Sequence, residues 1–185
     1  MIYNSWPDKK YDIIIADPPW HYYGATDKMG AAGKEYDILS DDEILQLNID
    51  EILEDNGIVF LWATCPRLDF AIDCLKSWGL HFRGVQFVWV KTSIDGTPLS
   101  AIGVRPSIVK PLTEFVIAGS RVKRGRPMQI HSEKIVQTIF SARGKHSQKP
   151  NEVLDRINEL YPNASKIELF ARREYQGYDA FGNEL

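Results

Sequence analysis

The chain has 185 residues, a formal net charge of −3, 44% hydrophobic residues and 25% charged residues. These proportions exclude a disordered chain, and the length is enough for a single domain over 1–185 with a sizeable core. No apolar run reaches the roughly 18 residues of a membrane span, and the N-terminus has no signal-peptide pattern, so we expect a cytoplasmic protein.

The first predicted element is a buried strand over 11–16, which runs into the tetrapeptide Asp17-Pro18-Pro19-Trp20. Proline has no N–H to donate to a sheet, so two consecutive prolines end the strand. This leaves Asp17 and the carbonyl of Pro18 at the carboxyl end of the strand, which is where ligands bind in open α/β sheets.

The two oxygen acceptors of this motif suit an exocyclic amine, which has two N–H donors. Accepting both hydrogens at Asp17 and Pro18 would direct the nitrogen lone pair away from the acceptors, toward an electrophile. Trp20 would offer a flat face on which a base can stack, and Tyr22 and Tyr23 could extend that platform. The alternative is a structural turn followed by a tryptophan of the core.

Strand and helix patterns alternate along the rest of the chain. A capping box starting at Ser40 predicts a helix to Asp55, closed by Asn56-Gly57. The further predictions are strands at 58–63, 81–91, 112–118 and 166–171, and helices at 66–78 and 149–161. This alternation predicts an α/β fold, with a mostly parallel sheet covered by helices on both faces.

Two predicted loops, 21–39 and 92–110, are longer than usual connections, and loops of this length are usually functional or disordered. Within the first loop, the glycine-containing residues 24–34 are interpreted as a mobile substrate gate.

Positive charge is concentrated in the segment 105–149, which has ten basic and two acidic residues, so it carries +8 while the remainder carries −11. Such segregation is typical of a polyanion-binding face. The run 121–126 alone is equally consistent with a solvated loop. The basic residues predicted to contact substrate are Arg121, Lys123, Arg124, Arg126 and Lys145.

Several other residues have ordinary structural explanations. Glu114 lies in a predicted strand, and because an unpaired buried acid is costly, we expect it to pair with a base or to lie at the strand edge. Trp62 and Trp89 are predicted to be core residues. Cys65 and Cys74 lack clustered Cys or His neighbours, so no metal site is predicted.

Eight motifs carry a family resemblance, and they occur in order from Asp12 to Leu185. They are IIIADPPW, EYDILSDDEI, GIVFLWAT, FVWVKT, TEFVIAG, HSQKPNEVLDRINELYP, KIELFARR and GNE. Together they resemble the catalytic subunits of mRNA adenosine-N6 methyltransferases, whose bacterial and phage members resemble DNA adenine methyltransferases. The resemblance implies a Rossmann-like domain dependent on S-adenosylmethionine, with the catalytic motif before the cofactor strand as in permuted β-class enzymes.

The resemblance also implies roles for individual residues. It places Asp17, Pro18, Pro19 and Trp20 at the target amine, with Asp17 beside the methionine part of the cofactor. The other cofactor-binding residues that it implies are Lys149, Arg172, Asn183 and Glu184. The family often has glutamine at the position of Glu184, so the contact made there is open.

The expected activity is therefore methyl transfer to the N6 amine of adenine in nucleic acid. DNA is favoured over RNA because a compact stand-alone domain resembles the phage and bacterial members. The alternatives are an RNA adenosine-N6 methyltransferase, a DNA cytosine-N4 methyltransferase, or a non-catalytic nucleic-acid-binding subunit. A homodimer or a partner subunit is also compatible with the sequence.

Overall fold

A computed structural model describes residues 6–19, 39–99, 108–144 and 148–182. Seven strands and three α-helices are formed by these residues. The strands are β1 (Tyr11–Ala16), β2 (Leu53–Thr64), β3 (His81–Thr92), β4 (Thr113–Ser120), β5 (Thr138–Ala142), β6 (Lys166–Leu169) and β7 (Asp179–Phe181). The helices are α1 (Asp41–Leu45), α2 (Leu68–Ser77) and α3 (Asn151–Leu160), and two 3₁₀ turns span Ile49–Glu51 and Cys65–Arg67.

The strands form one sheet in the order β5-β3-β4-β2-β1-β6-β7. Four of its six strand pairings are parallel, and only β4 runs antiparallel to both of its neighbours. The predicted mostly parallel sheet is thus confirmed. Because β4 is reversed, its first residues lie beside the carboxyl ends of β2 and β3, where Glu114 pairs with Thr64 and Trp89.

Both faces of the sheet are covered, as predicted. On one face Ile14 and Ala16 of β1 belong to a core cluster that includes residues of α1 and α2. On the other face Ile13 and Ile15 belong to a second cluster that includes residues of α3. Each of these isoleucines is at most 1% exposed, and burying such a side chain stabilises the fold by about 1.5–3 kcal/mol.

The predicted continuous helix from Ser40 to Asp55 is wrong. The capping box at Ser40 is present, but α1 ends at Leu45 and β2 already begins at Leu53. The start of β2 pairs irregularly with β1, because the register shifts after the pairing of Tyr11 with Leu53. At Gly57 a Cβ would lie 2.5 Å from the Leu53 side chain, so this glycine permits the irregular strand and does not close a helix.

Sequence patterns missed the strands at the two ends of the sheet. β5 has five residues and β7 has three, and each has strand neighbours on one side only. The predicted helix at 149–161 begins two residues later than expected, after Pro150. Among the described helices, none is both long and apolar enough to cross a bilayer.

Candidate active site

Charged side chains from separate elements meet at the edge of the sheet where β1, β2, β3 and β6 end. Asp17 directly follows β1, and Lys149 lies two residues before α3. Glu114 reaches this edge from the beginning of β4, and Lys91 reaches it near the end of β3, since β4 is reversed. Residues that are far apart in sequence are thus brought together by the topology.

These four side chains form a row in which positive and negative charges alternate. Lys149 Nζ is 2.9 Å from Asp17 Oδ2 and 3.3 Å from Glu114 Oε2. Lys91 Nζ is 2.5 Å from the other oxygen of Glu114. The side chains are only 13–25% exposed, so solvent screens these contacts less than contacts at a fully exposed surface.

Two tryptophans lie beside the row of charges. Trp62 and Trp89 are each 3% exposed, and their rings meet edge to face with centroids 6.3 Å apart. Lys149 Nζ is 5.3 Å from the Trp62 ring centroid, and Lys91 Nζ is 5.0 Å from that of Trp89. The prediction that both tryptophans are core residues is confirmed, and their ring faces also contact the two cations favourably.

Burial and charge oppose one another in setting the ionisation of the carboxyl groups. Desolvation raises the pKa of Asp17 above its usual value, and this effect exceeds the opposing attraction of Lys149 and Arg172. Desolvation also acts to raise the pKa of Glu114, but Lys149 and Lys91 together bring it below its usual value. The expected pairing of Glu114 with a base is confirmed, with two bases in place of one.

A third acid, Glu168 of β6, was missed by sequence reasoning. It alternates with Ile167 and Leu169, which belong to the α1–α2 core, so Glu168 lies on the opposite face of the sheet. Burial and the negative charge of Asp17 raise its pKa to about 7, against a smaller opposing effect of Arg173. An acidic residue inside the otherwise buried strand KIEL was the sequence signal that could have identified it.

The donor and acceptor groups at this edge fit a cofactor that carries both an amine and a carboxylate. Lys149 offers a cation for a carboxylate. The Thr64 hydroxyl and Glu114 Oε2 are buried polar atoms without a hydrogen-bond partner among the described residues. For Glu114 Oε2 the 3.3 Å approach of Lys149 is a charge contact without hydrogen-bond geometry. In the described parts of the chain no group of three or more His, Cys, Asp or Glu side chains could hold a metal ion.

The structure brings together Asp17, Pro18, Pro19 and Lys149 of the predicted site, and Arg172 is close enough to lower the pKa of Asp17. Pro18 is a buried residue, and no described residue donates a backbone hydrogen bond to its carbonyl. The predicted residues that lie outside the described ranges are Trp20, Tyr22, Tyr23, Lys145, Asn183 and Glu184. The proposed substrate gate at 24–34 also lies outside them.

The predicted basic segment is divided between two edges of the sheet. Lys149 lies at the edge that carries Asp17, whereas the run 121–126 follows the far end of β4. Arg121 is bound there to Asp50 and Asp55, and Arg126 pairs with Glu133. The structure therefore does not bring this run to the edge that carries Asp17, because β4 is antiparallel.

The α/β fold and its carboxylate site after a double proline are compatible with an amino-methyltransferase type of domain. The family model MT-A70 matches residues 11–184, and the chain belongs to this family. This agrees with the family resemblance carried by the sequence motifs.

Two relatives illustrate how far the similarity extends. The chain is 32% identical over 202 residues to the type II methyltransferase M.MunI of Mycoplasma sp., covering all of this chain and 82% of that protein. It is 30% identical over 178 residues to the human N(6)-adenosine-methyltransferase catalytic subunit METTL3. That match covers 95% of this chain but only 28% of METTL3.

Proposed function

We propose that this protein transfers a methyl group from S-adenosylmethionine to the N6 amine of adenine in nucleic acid, and that its polymer is DNA. The observation that carries the proposal is the partly buried Asp17, paired with Lys149 and followed by two prolines at the carboxyl end of β1. Membership of the MT-A70 family supports the adenine-N6 chemistry.

The protein's part in the reaction is to hold and orient a weakly nucleophilic amine. The carboxylate of Asp17 and the carbonyl of Pro18 accept the two N–H hydrogens, so the nitrogen lone pair is directed away from them. As the nitrogen–methyl bond forms, the nitrogen becomes acidic, and its proton passes to Asp17 or to water. Asp17 must be ionised to act as an acceptor in this way.

S-adenosylmethionine, when bound, would supply an electrophilic methyl group and would leave as S-adenosylhomocysteine, because its sulfur–methyl bond breaks as the nitrogen–methyl bond forms. Of the described residues, Lys149 is suited to its carboxylate because it places a cation at the beginning of α3. Asp17 is suited to its ammonium group, and the family resemblance assigns Arg172 to the ribose. Asn183 and Glu184 remain predicted contacts of the adenine and ribose.

DNA is favoured by the way the relatives match. M.MunI, a type II methyltransferase, is covered over 82% of its length, whereas the chain spans 28% of human METTL3. The match to the type II methyltransferase thus extends over most of both sequences. A base inside a duplex would have to be flipped out to reach Asp17, at a cost of a few kcal/mol. RNA adenosine is the second candidate polymer, favoured by the names of the METTL3 relatives.

The test is methyl transfer from labelled S-adenosylmethionine to matched single- and double-stranded DNA and RNA oligonucleotides, with mass analysis of the nucleosides. We expect N6-methyladenine in DNA from the wild type and none from Asp17→Ala. Methylation of RNA alone would overturn the choice of polymer. Methyl on cytosine, or no transfer to any of the four polymers, would overturn the proposed reaction.

A further inference from the structure

We propose that Lys91 is a positioning residue, which holds Glu114 so that Lys149 stays on Asp17. This inference rests on the proposed function, because it assigns Lys91 to the same reaction. Neither the composition of the catalytic tetrapeptide nor its spacing points to Lys91. The role of Lys91 is indicated by the row of contacts across β3, β4 and the start of α3.

The geometry gives each carboxylate oxygen of Glu114 its own cation. Oε1 is hydrogen-bonded to Lys91 Nζ, and Oε2 is 3.3 Å from Lys149 Nζ. Lys149 Nζ is closer to Asp17, at 2.9 Å. The ammonium of Lys149 is thus shared by two carboxylates, and its position depends on how strongly each of them attracts it.

Lys91 controls this balance because Glu114 is largely buried. The Glu114 side chain is 13% exposed, so water compensates little for a lost partner. Without the cation at Oε1, Glu114 would attract Lys149 more strongly, and Lys149 would move away from Asp17. The Asp17 carboxylate would then lose its main compensation for burial, and less of it would be ionised.

Replacing Lys91 leaves the other charged groups at this edge in place, and each keeps the sign of its effect on Asp17. The described groups that influence Asp17 are Lys149 and Glu114, together with Arg172 after β6. Glu168 of β6 is itself influenced by Asp17 and by Arg173. None of these groups replaces the contact of Lys91 with Glu114 Oε1.

The first test compares Lys91→Met with Lys91→Arg. Methionine keeps an unbranched apolar stem beside Trp89 but removes the charge, whereas arginine keeps the charge. For Lys91→Met we expect the acidic limb of the kcat profile to move to higher pH by about one unit, so kcat on that limb should fall about tenfold, since one pKa unit is a factor of ten. Lys91→Arg should recover most of both effects. Lys76→Met, which removes an exposed partner of Asp73 on α2, is the matched control.

The second test is a double-mutant cycle with Glu114→Gln, read by calorimetric binding of S-adenosylhomocysteine as well as by kcat. If Lys91 acts through Glu114, Lys91→Met should weaken binding several-fold in the wild type and have little further effect in Glu114→Gln. Additive effects, an unmoved pH profile, or a loss explained by a lower thermal unfolding midpoint would overturn the inference. A wild type that binds S-adenosylhomocysteine but methylates no polymer would overturn the proposed function, while the binding cycle would still test Lys91.

Discussion

At the scale of a single residue, burial and a neighbouring cation have opposite effects on the pKa of Asp17. Desolvation raises its pKa, and the 2.9 Å contact with Lys149 opposes that rise. Without Lys149 the pKa of Asp17 would rise further, and a protonated carboxyl group could no longer act as a carboxylate acceptor for an N–H of the amine. The lysine is therefore as necessary to the proposed chemistry as the aspartate.

Replacing Asp17 by asparagine should lower methyl transfer by at least 100-fold, the scale of losing one preorganised electrostatic contact. The amide keeps the shape of the side chain, but its NH₂ group is a donor that would face the donors of the amine and of Lys149. The measurement is the single-turnover rate, with cofactor affinity followed by calorimetry. Cofactor affinity should stay within several-fold, and a near-normal transfer rate would contradict the role of Asp17.

Glu168 makes the stability of the protein depend on pH. Its pKa is about 7 in the fold against an ordinary value of 4.5, so the folded state holds the proton more tightly than the unfolded chain. The free energy of unfolding should therefore fall as pH rises from about 4.5 to about 7 and should not fall further on this account above pH 7. Glu168→Gln removes this loss, which we expect to amount to roughly 3 kcal/mol.

Denaturant unfolding of the wild type and Glu168→Gln at pH 5 and pH 8.5 tests this prediction. The stability difference between them should favour the variant much more at pH 8.5 than at pH 5. Equal differences at the two pH values would mean that Glu168 titrates normally. Glu159→Gln, at an exposed position of α3, supplies the control for removing an acid.

The residues of the site were predictable to different degrees. Asp17 and Pro18 stand in one short motif, so their local chemistry could be derived from the sequence. Lys149 was assigned only through the family resemblance, since a lysine before a helix has no unique role. Lys91 and Glu168 were missed because each acts on a residue of another part of the chain, Lys91 on Glu114 and Glu168 with Asp17, and the sequence does not show these distant contacts.

At the scale of elements, Gly182 allows the end of β7 to pass against the chain that follows β6. A Cβ at Gly182 would lie 2.2 Å from the Ala171 carbonyl oxygen and 2.8 Å from the Ala171 nitrogen. Gly182→Ala should therefore break the 3.2 Å bond from Ala171 N–H to the Phe181 carbonyl and destabilise the fold by about 1–3 kcal/mol. Thermal unfolding measures this directly, and an unchanged midpoint would show that the chain can relax at little cost.

The basic run after β4 should contribute to polymer binding through the members that no described acid neutralises. Arg121 and Arg126 are paired with acids, whereas no ion pair of Lys123 or Arg124 is formed with the described residues. Reversing both charges, as Lys123→Glu with Arg124→Glu, should weaken DNA binding and reduce the slope of its salt dependence. Binding titrations at several salt concentrations measure the slope, with Lys76→Glu as the control. An unchanged slope would mean that the run is a solvated loop without a role in DNA binding.

Elements with a clear hydrophobic pattern were predicted, and those that depend on partners were not. β1 and α3 show their periodicity in the sequence and occur close to the expected limits. The segment from Leu47 to Leu53 has apolar residues at spacings that suit a helix, but a 3₁₀ turn and the start of β2 occupy it. Pairing with β1 decides the outcome there, and local propensity does not. The short strands β5 and β7 likewise depend on their neighbours.

At the scale of the whole molecule, the sheet separates two kinds of charge. The edge formed by the carboxyl ends of β1, β2, β3 and β6 holds the buried acids with their lysines. The opposite edge carries the basic run after β4. In the sequence, Lys149 and this run belong to the same basic segment. In the structure they lie on different sides of the molecule, because β4 is antiparallel to its neighbours.

The length of the antiparallel strand β4 determines how far the basic run lies from the site of Asp17. Glu114 and Arg121 are seven residues apart along β4, and at 3.4 Å per residue they are about 24 Å apart. Stacked bases in a duplex are separated by 3.4 Å, so about seven base steps span the same distance. An oligonucleotide of three or four bases can occupy the site of Asp17 but cannot also reach the run beyond β4. For the proposed DNA substrate, affinity should therefore rise once the DNA extends at least seven bases to one side of the target adenine, while kcat at saturation stays nearly constant.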